Sequence, residues 1–159
     1  MTTHEHSLSA LRTSAADLTQ EVQRLPPEAA LWRPGETDWS QHECLTHLWI
    51  AEHFIFLPRI RAMATEENPH LPAVDEVAIQ KQQWSAERTR DDLLAAFLAD
   101  RQAELELLET VDWSRPGVHE TNGPVDIAFV AHYAMGHTWE HMSQMLRVRL
   151  RYRLSHRSA

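Results

Sequence analysis

In four separate stretches of this sequence apolar residues return every three or four positions, and nowhere do they alternate long enough to build a strand. Chains patterned this way bury their apolar stripes by packing helix on helix. Leu8, Leu11, Ala15, Leu18, Val22 and Leu25 predict a first helix from Ser7 to Leu25, closed by Pro26-Pro27. Ser40 with Glu43 three residues on is a capping box, so a second helix begins at Gln41. It continues through Leu45, Leu48, Trp49, Ile55, Phe56, Ile60 and Met63, with Pro58 kinking it near Phe54. Thr89 and Asp92 cap a third helix carrying Leu93, Leu94, Phe97, Leu98, Leu105, Leu108 and Val111. Pro124, tolerated in a first turn, opens a fourth along Ile127, Val130, Ala134, Met145 and Val148.

The intervening chain is read as loop. Glu28 to Gly35 holds at most a short turn, a loop carries Trp39, and Asn68-Pro69 and Leu71-Pro72 keep Glu66 to Pro72 out of helix. Asp75 to about Gln83 forms a short helix of low amphipathicity, and Trp113 to Gly123 is punctuated by Pro116-Gly117 and Asn122-Gly123. The fold class expected is all-α, a four-helix bundle whose longer loops allow crossover connections. At 159 residues it forms a single domain over 1–159, with a basic tail at 151–159.

Charge and composition narrow the function. Fifteen basic residues against 23 acidic ones give a net charge of −8, which repels nucleic acid and anionic membrane. The arginines at 147, 149, 151, 153 and 157 run against that average, and their simplest role is to complement the dipole at the end of a long helix. No run reaches the roughly 18–20 apolar residues of a membrane span, and Met1 to His6 lacks a signal sequence, so a cytoplasmic protein is expected. Cys44 stands alone, which excludes an intrachain disulfide.

The fourth stripe is interrupted by His137 and His141, four residues apart, which leave a helix about 40° from each other on one face. A neutral imidazole in a core needs partners for both ring nitrogens. A metal ion supplies one answer; carbonyls and hydroxyls supply another. His47 is a third histidine among apolar neighbours, with Cys44, Ala51 and Ile55 on its stripe. Together His47, His137 and His141 give a three-imidazole metal site with positions left open for water or thiol.

Other patterns carry less. His137-Thr138-Trp139-Glu140-His141 matches the H-x-x-E-H of inverted zinc proteases, yet only eighteen residues follow, rich in arginine where an acidic ligand is needed. His42 and His47 are five apart and point about 140° from each other, so they do not chelate together. Cys44 and His47 could both ligate, though a lone core cysteine usually packs. His53 and His132 lie off the candidate faces. Glu43 could receive the second N–H of His47 but is already explained as a cap. Trp49 and Trp139 read as core or pocket wall.

Several short motifs resemble a known family when taken together: Leu31-Trp32-Arg33-Pro34, Trp39-Ser40, Glu43-Cys44-Leu45-Thr46-His47-Leu48 with Glu52 following, Gly123-Pro124-Val125, and His137-x-x-x-His141-x-x-Gln144. The chain is similar to the DinB/YfiT-like family of small four-helix metalloproteins. The resemblance implies a divalent metal, commonly nickel or zinc, held by one histidine of helix two and two of helix four, which carry over to His47, His137 and His141. It implies a homodimer, and an activity like that of thiol-dependent S-transferases and isomerases, in which a metal-bound low-molecular-weight thiol attacks an electrophile. A thiol-dependent S-transferase or related detoxification enzyme, or a metal-dependent hydrolase, is therefore expected, the transferase acting on a small-molecule thiol and an electrophilic substrate. The alternatives are a non-catalytic metal-binding stress-response bundle and histidines that pack without metal.

Overall fold

The computed structural model describes residues 3–157. Helix α1 (Thr3–Gln23) buries the stripe read from the sequence, with Leu11, Leu18 and Val22 fully shielded. A single 3-10 turn at Pro27–Ala29 follows, and Ser40 then caps α2 (Gln41–Ala51) through the expected reciprocal bonds with Glu43. Every residue of α2 except His47 is buried, so this helix runs through the centre of the bundle.

Pro58 acts one turn upstream of itself. Residues Glu52–Phe56 form a π turn in which the Leu57 N–H donates to the carbonyl of Glu52, and α3 (Leu57–Thr65) carries the proline in its first turn. The slipped register absorbs the donor that proline lacks, and the rod continues around the expected kink.

The rest of the bundle is α5 (Arg90–Leu108), started by the Thr89–Asp92 capping box, and α6 (Ile127–Ser155). The short α4 (Glu76–Gln83) lies against α2 and has no buried residue. Helix α6 continues through the basic segment as far as Ser155, and Arg149 forks onto Glu21 of α1 at 2.7 and 3.0 Å.

The expectation of no strands is overturned. A small sheet of order β1-β2-β3 is built from β1 (His70–Leu71), β2 (Pro116–His119) and β3 (Gly123–Asp126), parallel between the first two and antiparallel between the last two. Strands of two to four residues are too short for alternation to register. Pro116 is tolerated as the first residue of its strand and Pro124 on the edge strand. The fourth helix accordingly opens at Ile127, where the Asp126 carboxylate accepts the Phe129 N–H at 2.8 Å, rather than at Pro124. The hairpin turns at Gly123, whose φ of 73° suits glycine.

One buried ionic cluster fastens the rods. Arg101 of α5, 1% exposed, donates from Nε and Nη2 to Glu52 at 2.9 Å each, from Nη1 to Ser14 of α1 at 3.3 Å, and from Nη2 to Thr138 of α6 at 3.1 Å. Glu104 Oε2 lies 2.8 Å from Arg101 Nε, but the aligned hydrogen bond of that N–H goes to Glu52. Burial and the adjacent Glu52 carboxylate push Glu104 well above the usual carboxylate range, whereas Arg101 holds Glu52 below it despite its burial.

Candidate metal centre

His47 comes from the central α2, and His137 and His141 from successive turns of α6. The structure brings the three together. His137 Nε2 lies 3.1 Å from the Nε2 of His47 and 3.1 Å from that of His141, and the three donor atoms fall within 4.8 Å of one another.

The far side of two rings is fixed by amides. His47 Nδ1–H donates to Gln80 Oε1 at 3.0 Å and His141 Nδ1–H donates to Gln144 Oε1 at 2.7 Å. The Cys44 thiol donates to the same Gln144 oxygen at 3.6 Å, which agrees with that orientation of the amide. With the proton on Nδ1, the Nε2 atoms of His47 and His141 present bare lone pairs. Both face His137, which has one hydrogen at most to share between them. Three rings meeting through the same nitrogen are poorly served by hydrogen bonds among themselves and well arranged for a cation.

Burial keeps His137 and His141 neutral. Desolvation first, then His141, His47 and Arg101, push His137 down to about 3; desolvation and His47 push His141 down to about 4. Neither of these two rings takes up a second proton in the neutral range, which leaves each able to offer a lone pair to a cation.

Neighbours shape the surroundings. Trp39 stacks on His141 with ring centroids 5.8 Å apart and meets His47 edge-on at 5.2 Å, and Phe56 of the π turn packs edge-on against His137 at 5.5 Å. The Glu76 carboxylate, at the first residue of α4, reaches within 3.2 Å of His47 Nε2. Glu76 and Gln80, one turn apart, thus address the two nitrogens of a single ring. Neither was singled out in the sequence, because α4 has no apolar stripe to mark a functional face.

The remaining sequence candidates lie elsewhere. Glu43 is committed to Ser40 and to the guanidinium of Arg33, so it does not serve His47; Gln80 takes that place. Cys44 is buried and pushed up to about 12 by desolvation, then Glu43, and lies outside the histidine group. His53 pairs with Asp100 at 2.9 Å, and His132 bonds Ser7 at 2.8 Å. His42 bonds the Arg88 carbonyl at 2.6 Å. Trp49 packs in the core beneath Arg88, whereas Trp139 lines a surface cleft with Met142 and Leu146.

The sequence profile of the DinB superfamily matches residues 10–145. This chain belongs to the DinB superfamily. Among solved structures it is similar to YfiT from Bacillus subtilis, described as a probable metal-dependent hydrolase with an unusual four-helix bundle topology. The TM-score is 0.80 at 18% identity, over 96% of this chain and 90% of that one. It is also similar to a mycothiol-dependent maleylpyruvate isomerase, with a TM-score of 0.70 and 12% identity over 91% of this chain; the match spans 63% of the isomerase. No curated protein matches by sequence. The likeness to YfiT shows a four-helix-bundle fold, and no helix among the described residues is long and apolar enough to cross a membrane.

Proposed function

We propose that this DinB protein is a divalent-metal-dependent enzyme, with His47, His137 and His141 holding nickel or zinc and a low-molecular-weight thiol as the nucleophile transferred to an electrophilic substrate. The observation that carries the reading is the meeting of three Nε2 atoms beside the Glu76 carboxylate at the edge of an open cleft. The descriptions of YfiT as a probable metal-dependent hydrolase and of the isomerase as mycothiol-dependent support it.

A divalent ion in such a site lowers the pKa of a thiol or water next to it. The chain's own residues supply the rest. Gln80 and Gln144 hold two rings in the tautomer that presents Nε2. Glu76 accepts the S–H proton as the thiol sulfur forms its bond to the electrophilic carbon and the leaving group departs with its electron pair. Cys44 is unsuited to be that nucleophile, being buried and protonated, so the thiol enters as a co-substrate. The homodimer that the family resemblance implies has an apolar face available on α6, where Leu146, Leu150 and Leu154 are exposed one turn apart.

The test begins with elemental analysis of protein purified without an affinity tag, for which about one ion per chain is expected. A panel of thiols with chlorodinitrobenzene should then show turnover that chelation abolishes. Full metal occupancy with no thiol binding at the metal would favour the non-catalytic bundle. Failure to take up metal on reconstitution would reject the site.

A further inference from the structure

Beside the histidines lies a cleft of about 280 Å³ between α3, the start of α4, the β2–β3 hairpin and the first turns of α6. That is the small end of the range for sites that enclose small ligands. Its inner wall is aromatic: Phe56 touches His137, Tyr133 lies 6.0 Å from Phe56, and Phe129 lies 6.1 Å from Tyr133, centroid to centroid. Glu76 belongs to both the cleft and the histidine site.

The polar lining is lopsided. Arg59 faces the cleft half-buried, steadied by donating from Nη2 to the Pro72 carbonyl at 2.8 Å, and no carboxylate of the described residues lies within ion-pair distance of it. Its electrostatic neighbours are Glu76, Tyr133 and His119, and Glu120 acts in turn on His119. His119 Nδ1 accepts the backbone N–H groups of Thr121 and Asn122 at 3.1 and 3.2 Å, so its other nitrogen carries the hydrogen and is a donor. The Asn122 amide lines the same end. Arginine, imidazole N–H and amide form a donor set whose guanidinium is paired with no carboxylate among the described residues, Glu76 acting on it only at longer range, whereas the other clefts at the histidine site either hold their arginine against Glu43 or have Asp38 beside the arginines.

We propose that this cleft binds the electrophilic substrate and selects one bearing a carboxylate, which Arg59 recognises with His119 and Asn122, on a flat apolar body that lies along Phe56, Tyr133 and Phe129. This assignment rests on the enzymatic reading for its purpose, but the binding itself requires no metal. The aromatic wall spans from the donor set to His137, so the substrate's reactive carbon lies toward the nucleophile while its anion stays at the far end. A guanidinium already partly stripped of water gains more from a carboxylate than an exposed one does.

The probes are trans-cinnamate and its neutral amide, titrated into the full-length, isotope-labelled protein both stripped of metal and loaded with zinc. Cinnamate should bind at least about tenfold more tightly than the amide in both forms, as expected for one charge-assisted hydrogen-bonded pair. Its shift changes in the wild-type chain should centre on Arg59, His119 and Asn122, and Arg59→Gln should reduce the preference to near unity while the amide's affinity stays unchanged. Equal affinities for the two probes, or shift changes centred on Arg147 and Arg151 instead, would overturn the assignment. So would a preference found only with zinc and retained in Arg59→Gln, since the carboxylate would then be ligating the metal and the metal reading alone would stand. An Arg59-dependent preference in a chain that takes up no zinc would leave the cleft in place and remove the metal reading.

Discussion

Glu76 Oε2 sits 3.2 Å from His47 Nε2, the nitrogen through which that ring faces its two histidine partners. A carboxylate there is placed to take a proton from whatever approaches the open side of the site. Glu76→Gln, nearly isosteric, should lower metal-dependent turnover by about a hundredfold or more while leaving metal content intact. Because no residue of α4 is fully buried, folding stability should stay within about 0.5 kcal/mol of wild type. Metal content falling in step with activity would make Glu76 a ligand and remove it as the base.

His137 is the ring common to both short nitrogen contacts, so its loss should open the site from the middle. His137→Ala should reduce bound metal to a small fraction of that in wild type. It should also abolish the rise in melting temperature that added zinc gives the wild-type chain, because an ion that binds only the folded state stabilises it. A variant that still shows the full zinc-induced rise would contradict the site.

Acid should destabilise the metal-free protein. His137 and His141 are pushed down to about 3 and about 4 in the fold from an ordinary 6.5. As the pH falls through 6.5 the unfolded chain takes up protons that the folded chain refuses, so stability is present above that pH and is lost progressively toward pH 3–4. Urea midpoints measured between pH 8 and pH 4 should fall through this window in wild type and less steeply in the His137→Ala, His141→Ala double variant. Parallel curves would mean that these rings protonate in the fold as readily as in the unfolded chain.

The ionic cluster around Arg101 should respond asymmetrically. Glu52→Ala removes the carboxylate that takes both aligned guanidinium bonds and should cost about 3–5 kcal/mol. Glu104→Gln keeps a neutral group where the fold already favours the protonated acid. The sign follows from linkage: with its folded-state value raised above 4.5, Glu104 favours folding most below that pH and progressively less as pH rises toward the folded-state value. The variant should therefore gain on wild type between pH 5 and pH 8. A constant difference across that range would deny Glu104 its retained proton.

Much of this architecture is legible in the amino-acid order. Periodicity places the four rods, Ser40 and Glu43 fix where the second begins, and two imidazoles on the α6 stripe point inward toward His47. What escaped notice depends on residues that follow no period. Glu76 and Gln80 act from a short helix with no fully buried residue, where nothing distinguishes a working carboxamide or carboxylate from a solvated one. The sheet escaped because its strands are shorter than a readable alternation, and Pro124 misdirected the start of α6 because Asp126, two residues later, is the actual cap.

The slipped turn at Glu52–Phe56 has a further consequence for the cleft. One surplus residue in a helix rotates all that follows by about 100° relative to all that precedes. His47 belongs to the leading half and Arg59 to the trailing half, so their mutual phase is set by a single extra peptide unit. Deleting one residue there would swing Arg59, Ile60 and Met63 around the axis together, separating the guanidinium from the imidazoles without altering either.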